Sequence, residues 1–312
     1  MPTQKIKEDI KTKLNTVLNR FGMNPLNWID KVGGFRQKLE LLSSSDRYNK
    51  LLKSLFSSNE LGEFNSYVFE VLFAYDFESK SHILLYEVRQ STEENTSVDF
   101  CYNLDDQKKV YFELRLINQR HRITKLIEWQ LKTRKYSEIS LNGQDDIKET
   151  IRLQNLILSK CQNDNGKPIK FCKVTEGIYN IIVVNASGTY LNMIDRDDCI
   201  VTMYGSDSSP IFYHGLNIFG LCQQLGQDAS NDEKKYYHKF QYFRETIHGV
   251  LFVKFAQNDA IILDNRMHLD GELEYFLIGN ENLWQQQNCN LVAEKLGSFL
   301  KKWSAKRNKN EP

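Results

Sequence analysis

An α/β fold, a mixed β-sheet flanked by helices, is what this 312-residue chain predicts, and three stretches carry the prediction. Ser97-Val98-Asp99-Phe100 and the segment Val110 to Ile117 alternate polar and apolar residues with period two, as the two strands of a hairpin do. Ahead of them, from Asn59 to Glu78, Leu61, Phe64, Tyr67, Val68, Val71, Leu72 and Tyr75 recur at helical spacing. Downstream, Tyr179 to Asn185 is a nearly continuous apolar run of the kind a buried central strand carries. A chain of this length can bury a sizeable core, as one elaborated domain or two small ones.

Taken in order, residues 1–58 form an N-terminal helical region. Helices are expected over Ile6 to Phe21, Trp28 to Val32 and Phe35 to Phe56, with breaks at Gly22-Met23-Asn24-Pro25 and Gly33-Gly34. Leu39, Leu41, Leu42, Leu51, Leu52 and Leu55 give these helices apolar positions to pack on the core, or on a partner. Residues 59–300 are the α/β domain with C-terminal elaborations. After the helix from Asn59, His82 to Val88 reads as a strand and Gln90 to Asn95 as a polar loop, and the hairpin follows. A helix is expected from Gln119 through about residue 160, then a turn at Asn163 to Pro168 and strands at Lys170 to Val174 and Tyr179 to Asn185. Cys199 to Tyr204, Val250 to Phe255 and Ala260 to Leu263 add strand signals around a helix from Asp232 to Ile247, and Gln223 to Asp232 is expected to be a loop. Asp195, Asp197 and Asp198 lack the glycine-turned pattern of a calcium loop and suit a solvated turn. The aromatic and basic run Tyr236 to Arg244 suits core packing with snorkelling cations. Residues 301–312 are a basic tail expected to be disordered.

The hairpin fixes its own register. A three-residue loop, Asp105-Asp106-Gln107, sets Leu104 opposite Lys108, Tyr102 opposite Val110, Phe100 opposite Phe112 and Asp99 opposite Glu113. Val110, Phe112, Leu114 and Leu116 then share one face of the second strand, and Glu113 and Arg115 the other; a two-residue loop would mix them. Two carboxylates directly opposite each other repel. A divalent cation would compensate, and an oxygen-only pair suits a hard ion such as Mg²⁺ or Mn²⁺. The plain alternative is a solvated face on which Arg115 neutralises the acids. Glu70 stands inside Val68-Phe69-Glu70-Val71-Leu72-Phe73, and a carboxylate amid that much apolar surface needs a partner.

The order helix, strand, strand with Asp, strand with Glu-x-Arg, helix resembles the PD-(D/E)XK nuclease superfamily, the restriction-endonuclease-like fold, over roughly residues 59 to 185. By that resemblance Asp99 and Glu113 are the metal-binding acids, Arg115 takes the position of the motif lysine, and Glu70, ahead of Glu63, is the helix carboxylate. The implied activity is metal-dependent hydrolysis of phosphodiester bonds. Its cofactor would be Mg²⁺ or Mn²⁺, its partner nucleic acid, DNA ahead of RNA, and pairing as a homodimer fits the family. Val98 stands where the family often has proline. Arg115 is the larger departure, because arginine keeps its proton and can hold a water or a phosphate oxygen but cannot act as a base. The same planar fork could lock onto Asp99 or Glu113. That would leave a degenerate nuclease fold acting as a nucleic-acid or protein interaction module.

Arg120, Arg122, Lys125, Lys132, Arg134 and Lys135 stand against the single acid Glu128 just past the hairpin, a run that suits phosphate contact or a solvated helix face. Trp129 is expected to pack, and Gln119 and Gln130 to line the cleft or lie on the surface. Net charge is only +1, from 41 basic and 40 acidic residues, so no global field draws nucleic acid and any affinity must be local. The six cysteines form no Cys-x-x-Cys pair, which argues against a zinc ribbon or a disulfide scaffold. The lysine-rich start lacks the apolar core of a signal peptide, and no stretch approaches the ~18 apolar residues of a membrane span, so a cytoplasmic protein with no membrane partner is expected. No glycine-rich phosphate loop supports nucleoside-triphosphate chemistry.

Overall fold

The computed structural model describes residues 2–90, 97–117, 125, 129–130, 132–133, 143–162, 168–171, 174–185, 194–205, 218–219, 231–255, 269, 271–287 and 289–303. Its centre is one six-stranded mixed sheet in the order β1 (Leu84–Val88), β2 (Val98–Asn103), β3 (Lys109–Leu116), β4 (Ile178–Asn185), β5 (Gly249–Phe255) and β6 (Leu273–Gly279). β1, β2 and β3 pair antiparallel, β3, β4 and β5 parallel, and β6 returns antiparallel to β5. Helices cover both faces, as the parallel strands require.

One face carries Phe100, Tyr102, Val110, Phe112, Leu114, Ile181, Val183, Leu251 and Val253. It packs in one cluster with α1 (Pro2–Arg20), α2 (Ile29–Ser43), α3 (Asn49–Ser57), α4 (Leu61–Glu78) and Val292 and Leu296 of α9 (Asn290–Phe299). α4 lies against the sheet through an aromatic knot: the Phe73 ring is 5.5 Å from Phe100 and 5.3 Å from Phe112. The opposite face carries Cys101, Tyr111, Ile182, Val184, Val250 and Phe252 and packs against α5 (Gly143–Leu158), α6 (Arg196–Tyr204) and α7 (Asn231–Thr246), while α8 (Glu281–Gln287) follows β6. β4 is buried on both faces, which is why it reads as a nearly continuous apolar run. β6 has a short added partner: the Tyr275 N–H donates to Lys301 O at 2.8 Å, and the Trp303 N–H donates to Tyr275 O at 2.9 Å.

Several expectations give way. Cys199 to Tyr204 is not a strand but the end of α6. Asp195 caps that helix, accepting from the Asp197 and Asp198 N–H groups at 2.8 and 3.0 Å, while Asp198 accepts from the Asp195 N–H at 2.9 Å. The acidic cluster is therefore a capping box rather than a simple turn, and the cap outweighs the β-branched run Ile200-Val201-Thr202. Gly33-Gly34 does not break the helix, since α2 runs through both. Its buried Phe35, Leu39 and Leu42 offset the ~1 kcal/mol that each glycine costs a helix. Lys170, Phe171 and Val174 lie outside any strand. Trp129, expected to pack, is 54% exposed, whereas Gln130 is buried. In α7 the core assignment holds for Phe240 and Phe243. Ala260 to Leu263, the segment from Gln223 to Ser230 and residues 304–312 lie outside the described residues. No helix among the described residues is long and apolar enough to cross a membrane.

Candidate active site

The β2–β3 ladder runs in the register the alternation requires, with Tyr102 opposite Val110 and Phe100 opposite Phe112. The loop is the three-residue one, closed by the Leu104 N–H to Lys108 O at 2.9 Å, and Asp105 Oδ1 accepts the Gln107 and Lys108 N–H groups inside it. Beyond Phe100 the side chain of Asp99 takes over, and its Oδ2 accepts the Leu114 N–H at 2.6 Å. Asp99 is thus held by the backbone of the neighbouring strand, one residue past Glu113.

Glu113 is wholly buried at 0% exposure. Alternation turns it away from the Phe112 and Leu114 face, towards α5, and two lysines meet it there. Lys160, two residues past the end of α5, forms an ion pair and hydrogen bond with Oε1. Lys170, on the approach to β4, places its Nζ 3.5 Å from Oε2 and donates to Ser97 O at 2.7 Å. Oε2 itself has no hydrogen-bond partner. Arg115, two residues along the same face, is partly buried with its Nε unbonded. Among the described residues no ion pair joins Arg115 to Asp99 or Glu113, so the expected alternative of an arginine lock is not what closes this site.

Glu70 reaches the cluster from α4. Tyr86 of β1 donates its hydroxyl to Glu70 Oε2 at 2.9 Å, the partner its apolar setting demanded. Glu63, the second choice for the helix carboxylate, is exposed. Lys125 and Lys132 are exposed, and Arg120 and Arg122 lie outside the described residues.

The electrostatics follow from this crowding. Burial, and then the charge of Glu113, push the Asp99 carboxyl up to about 7, against the pull of the Leu114 N–H and the two lysines. Burial and the charge of Asp99 drive Glu70 well above the usual carboxylate range. Burial lowers the Lys160 ammonium and the Arg115 guanidinium from their ordinary values, while Glu113 draws both upward. Three acids and three bases share one partly buried place, and the fold holds like charges together there.

Among the described residues no group of three or more His, Cys, Asp or Glu side chains is placed to hold a metal. The carboxylates that could hold a divalent ion are Asp99 and Glu113, and Mg²⁺ accepts one or two carboxylates with water and substrate as its other ligands. The buried, unbonded Glu113 Oε2 suits that use. Lys160 and Lys170 escape a sequence reading because they come from far along the chain, Lys160 standing 47 residues beyond Glu113. The one local signal for Lys160 is a cation beside the apolar stripe Leu153, Ile157 and Cys161.

Fold and site define an α/β protein with a carboxylate and lysine cluster where a β-hairpin ladder ends. No protein-family model, curated protein or solved structure matches the chain.

Proposed function

We propose that the chain is a metal-dependent nuclease that hydrolyses phosphodiester bonds in nucleic acid, DNA ahead of RNA. The observation that carries this is the convergence of Asp99 and the fully buried Glu113 from neighbouring strands, with Lys160 and Lys170 beside them. A bound Mg²⁺ or Mn²⁺ would polarise the phosphoryl oxygen and lower the pKa of a coordinated water. Asp99 and Glu113 would hold it, with Asp99 oriented by the Leu114 N–H. Arg115, fixed in charge, would neutralise a phosphate oxygen as negative charge builds on it. Glu70, whose burial and the nearby charge of Asp99 favour its protonated form, would act as a hydrogen-bond donor or reserve proton at the edge of the site. The exposed Lys125 and Lys132, with Arg120 and Arg122, would contact the backbone of the substrate.

The test is nicking of supercoiled plasmid and degradation of single-stranded DNA and RNA in Mg²⁺ or Mn²⁺, by wild type and Asp99→Ala. Cleavage in wild type should fall more than ~100-fold in the variant, since even outer partners of metal ligands are worth 10–100-fold. Cleavage persisting at the wild-type rate would end the proposal.

A second reading has one observation in its favour: Lys160 and Lys170 already neutralise Glu113. If that neutralisation is permanent, the chain is a non-cleaving interaction module on the same sheet.

A further inference from the structure

We propose, building on the nuclease reading above, that Lys160 is the resident cation of this site, seated on Glu113 where a divalent ion would bind and displaced when one does. A buried carboxylate must be compensated, and here the two oxygens of Glu113 are served unequally. Lys160 sits on Oε1, whereas Lys170 stands 3.5 Å from Oε2 and is tied to Ser97 O at 2.7 Å. Lys170 is thus anchored at the entry to β2 and keeps a partner whatever happens to Glu113. Lys160 is held differently. It projects from the turn that closes α5, its side chain is 12% exposed, and its ion pair is with Glu113.

A lysine on a flexible four-carbon stem can leave such a contact by rotating, and its ammonium regains full hydration once outside. A divalent cation on the unbonded Oε2 of Glu113 stands beside the ammonium on Oε1 and repels it, so the two occupancies oppose each other. Asp99 needs no such rearrangement, because the Leu114 N–H holds it from the backbone. Metal and lysine therefore compete for one ligand of two.

The test is calorimetric titration of Mn²⁺ into the full chain as wild type, Lys160→Met and Lys170→Met. Lys160→Met should bind Mn²⁺ about tenfold more tightly, ~1.4 kcal/mol by the usual conversion, with a smaller change for Lys170→Met. Equal or weaker binding by a folded Lys160→Met, with wild type binding, overturns the competition and leaves the nuclease reading standing. Because Lys160→Met strands a buried carboxylate, a second measurement uses wild type alone. Acetic anhydride labelling of Lys160, read by peptide mass spectrometry, should accelerate several-fold when Mn²⁺ is added, and should not do so in Asp99→Ala. Labelling that Mn²⁺ leaves unchanged or slows overturns the proposal. Absence of Mn²⁺ binding in wild type and variant alike removes the nuclease reading and this proposal with it.

Discussion

Two buried lysine–glutamate pairs stand on the same sheet and behave differently. On β5 and β6, Lys254 and Glu274 are cross-strand partners 3.6 Å apart, 8% and 6% exposed. Lys254 lies over the Trp303 ring at 4.7 Å, and Lys301 reaches the other oxygen of Glu274 at 3.6 Å and Glu272 at 2.7 Å. Every charge there faces one of opposite sign, and the arrangement fastens the segment Lys301 to Trp303 to the sheet. On β3 the Lys160–Glu113 pair is as buried, yet Asp99 and Glu70 crowd beside it and both hold their protons far more tightly than ordinary carboxylates. A pair built for stability closes on itself. The hairpin cluster keeps like charges together against their repulsion, as functional sites do.

The largest expected effect tests the structural pair. Glu274→Ala leaves Lys254 buried without its cross-strand partner and should cost about 3 kcal/mol of unfolding free energy, measured by urea denaturation. A loss below ~1 kcal/mol would mean that the Trp303 ring alone satisfies Lys254 and that the pair is not the clamp.

The hairpin cluster should respond with the opposite sign. Asp99 binds its proton more tightly folded than unfolded, so its ionisation opposes folding fully above about pH 7, and that penalty fades as pH falls towards the unfolded value near 3.8. Asp99→Asn should therefore stabilise the protein by about 1–2 kcal/mol at pH 8, with the gain vanishing towards pH 4. Thermal melts across that range would measure it. A destabilised variant at pH 8 would erase the contrast between the two clusters.

The smallest effect concerns Arg115. With Nε unbonded and no ion pair to either acid, Arg115→Lys should change unfolding free energy by less than ~0.5 kcal/mol and leave plasmid nicking within a few-fold. Nicking that appears only in Arg115→Lys would show that the native site needed a lysine at that position.

What the sequence makes legible is what nearest neighbours decide. The hairpin register follows from an alternation that only one loop length satisfies, and Glu70 stands out because nothing local could pair with it. Strand β6 passes unread because Leu273, Tyr275 and Ile278 are buried on both faces and no polar alternation marks it. Helix α6 reads as a strand because its β-branched residues are weighed and its cap, Asp195 with Asp198, is not. Lys160 and Lys170 belong to a third kind. Their role exists only once the crossover from β3 to β4 brings them back over Glu113, and no local pattern encodes that return.

The two backbone bonds that Lys301 and Trp303 make to Tyr275 have a consequence for the molecule as a neighbour of its own copies. An open edge of β6 would offer unpaired amides and carbonyls to any strand that drifts past, the usual beginning of edge-to-edge association. Three residues of chain, pinned by a tryptophan and a lysine, act as insulation there. A version of the chain cut before Lys301 would expose that edge in every molecule and lose solubility before it lost its fold.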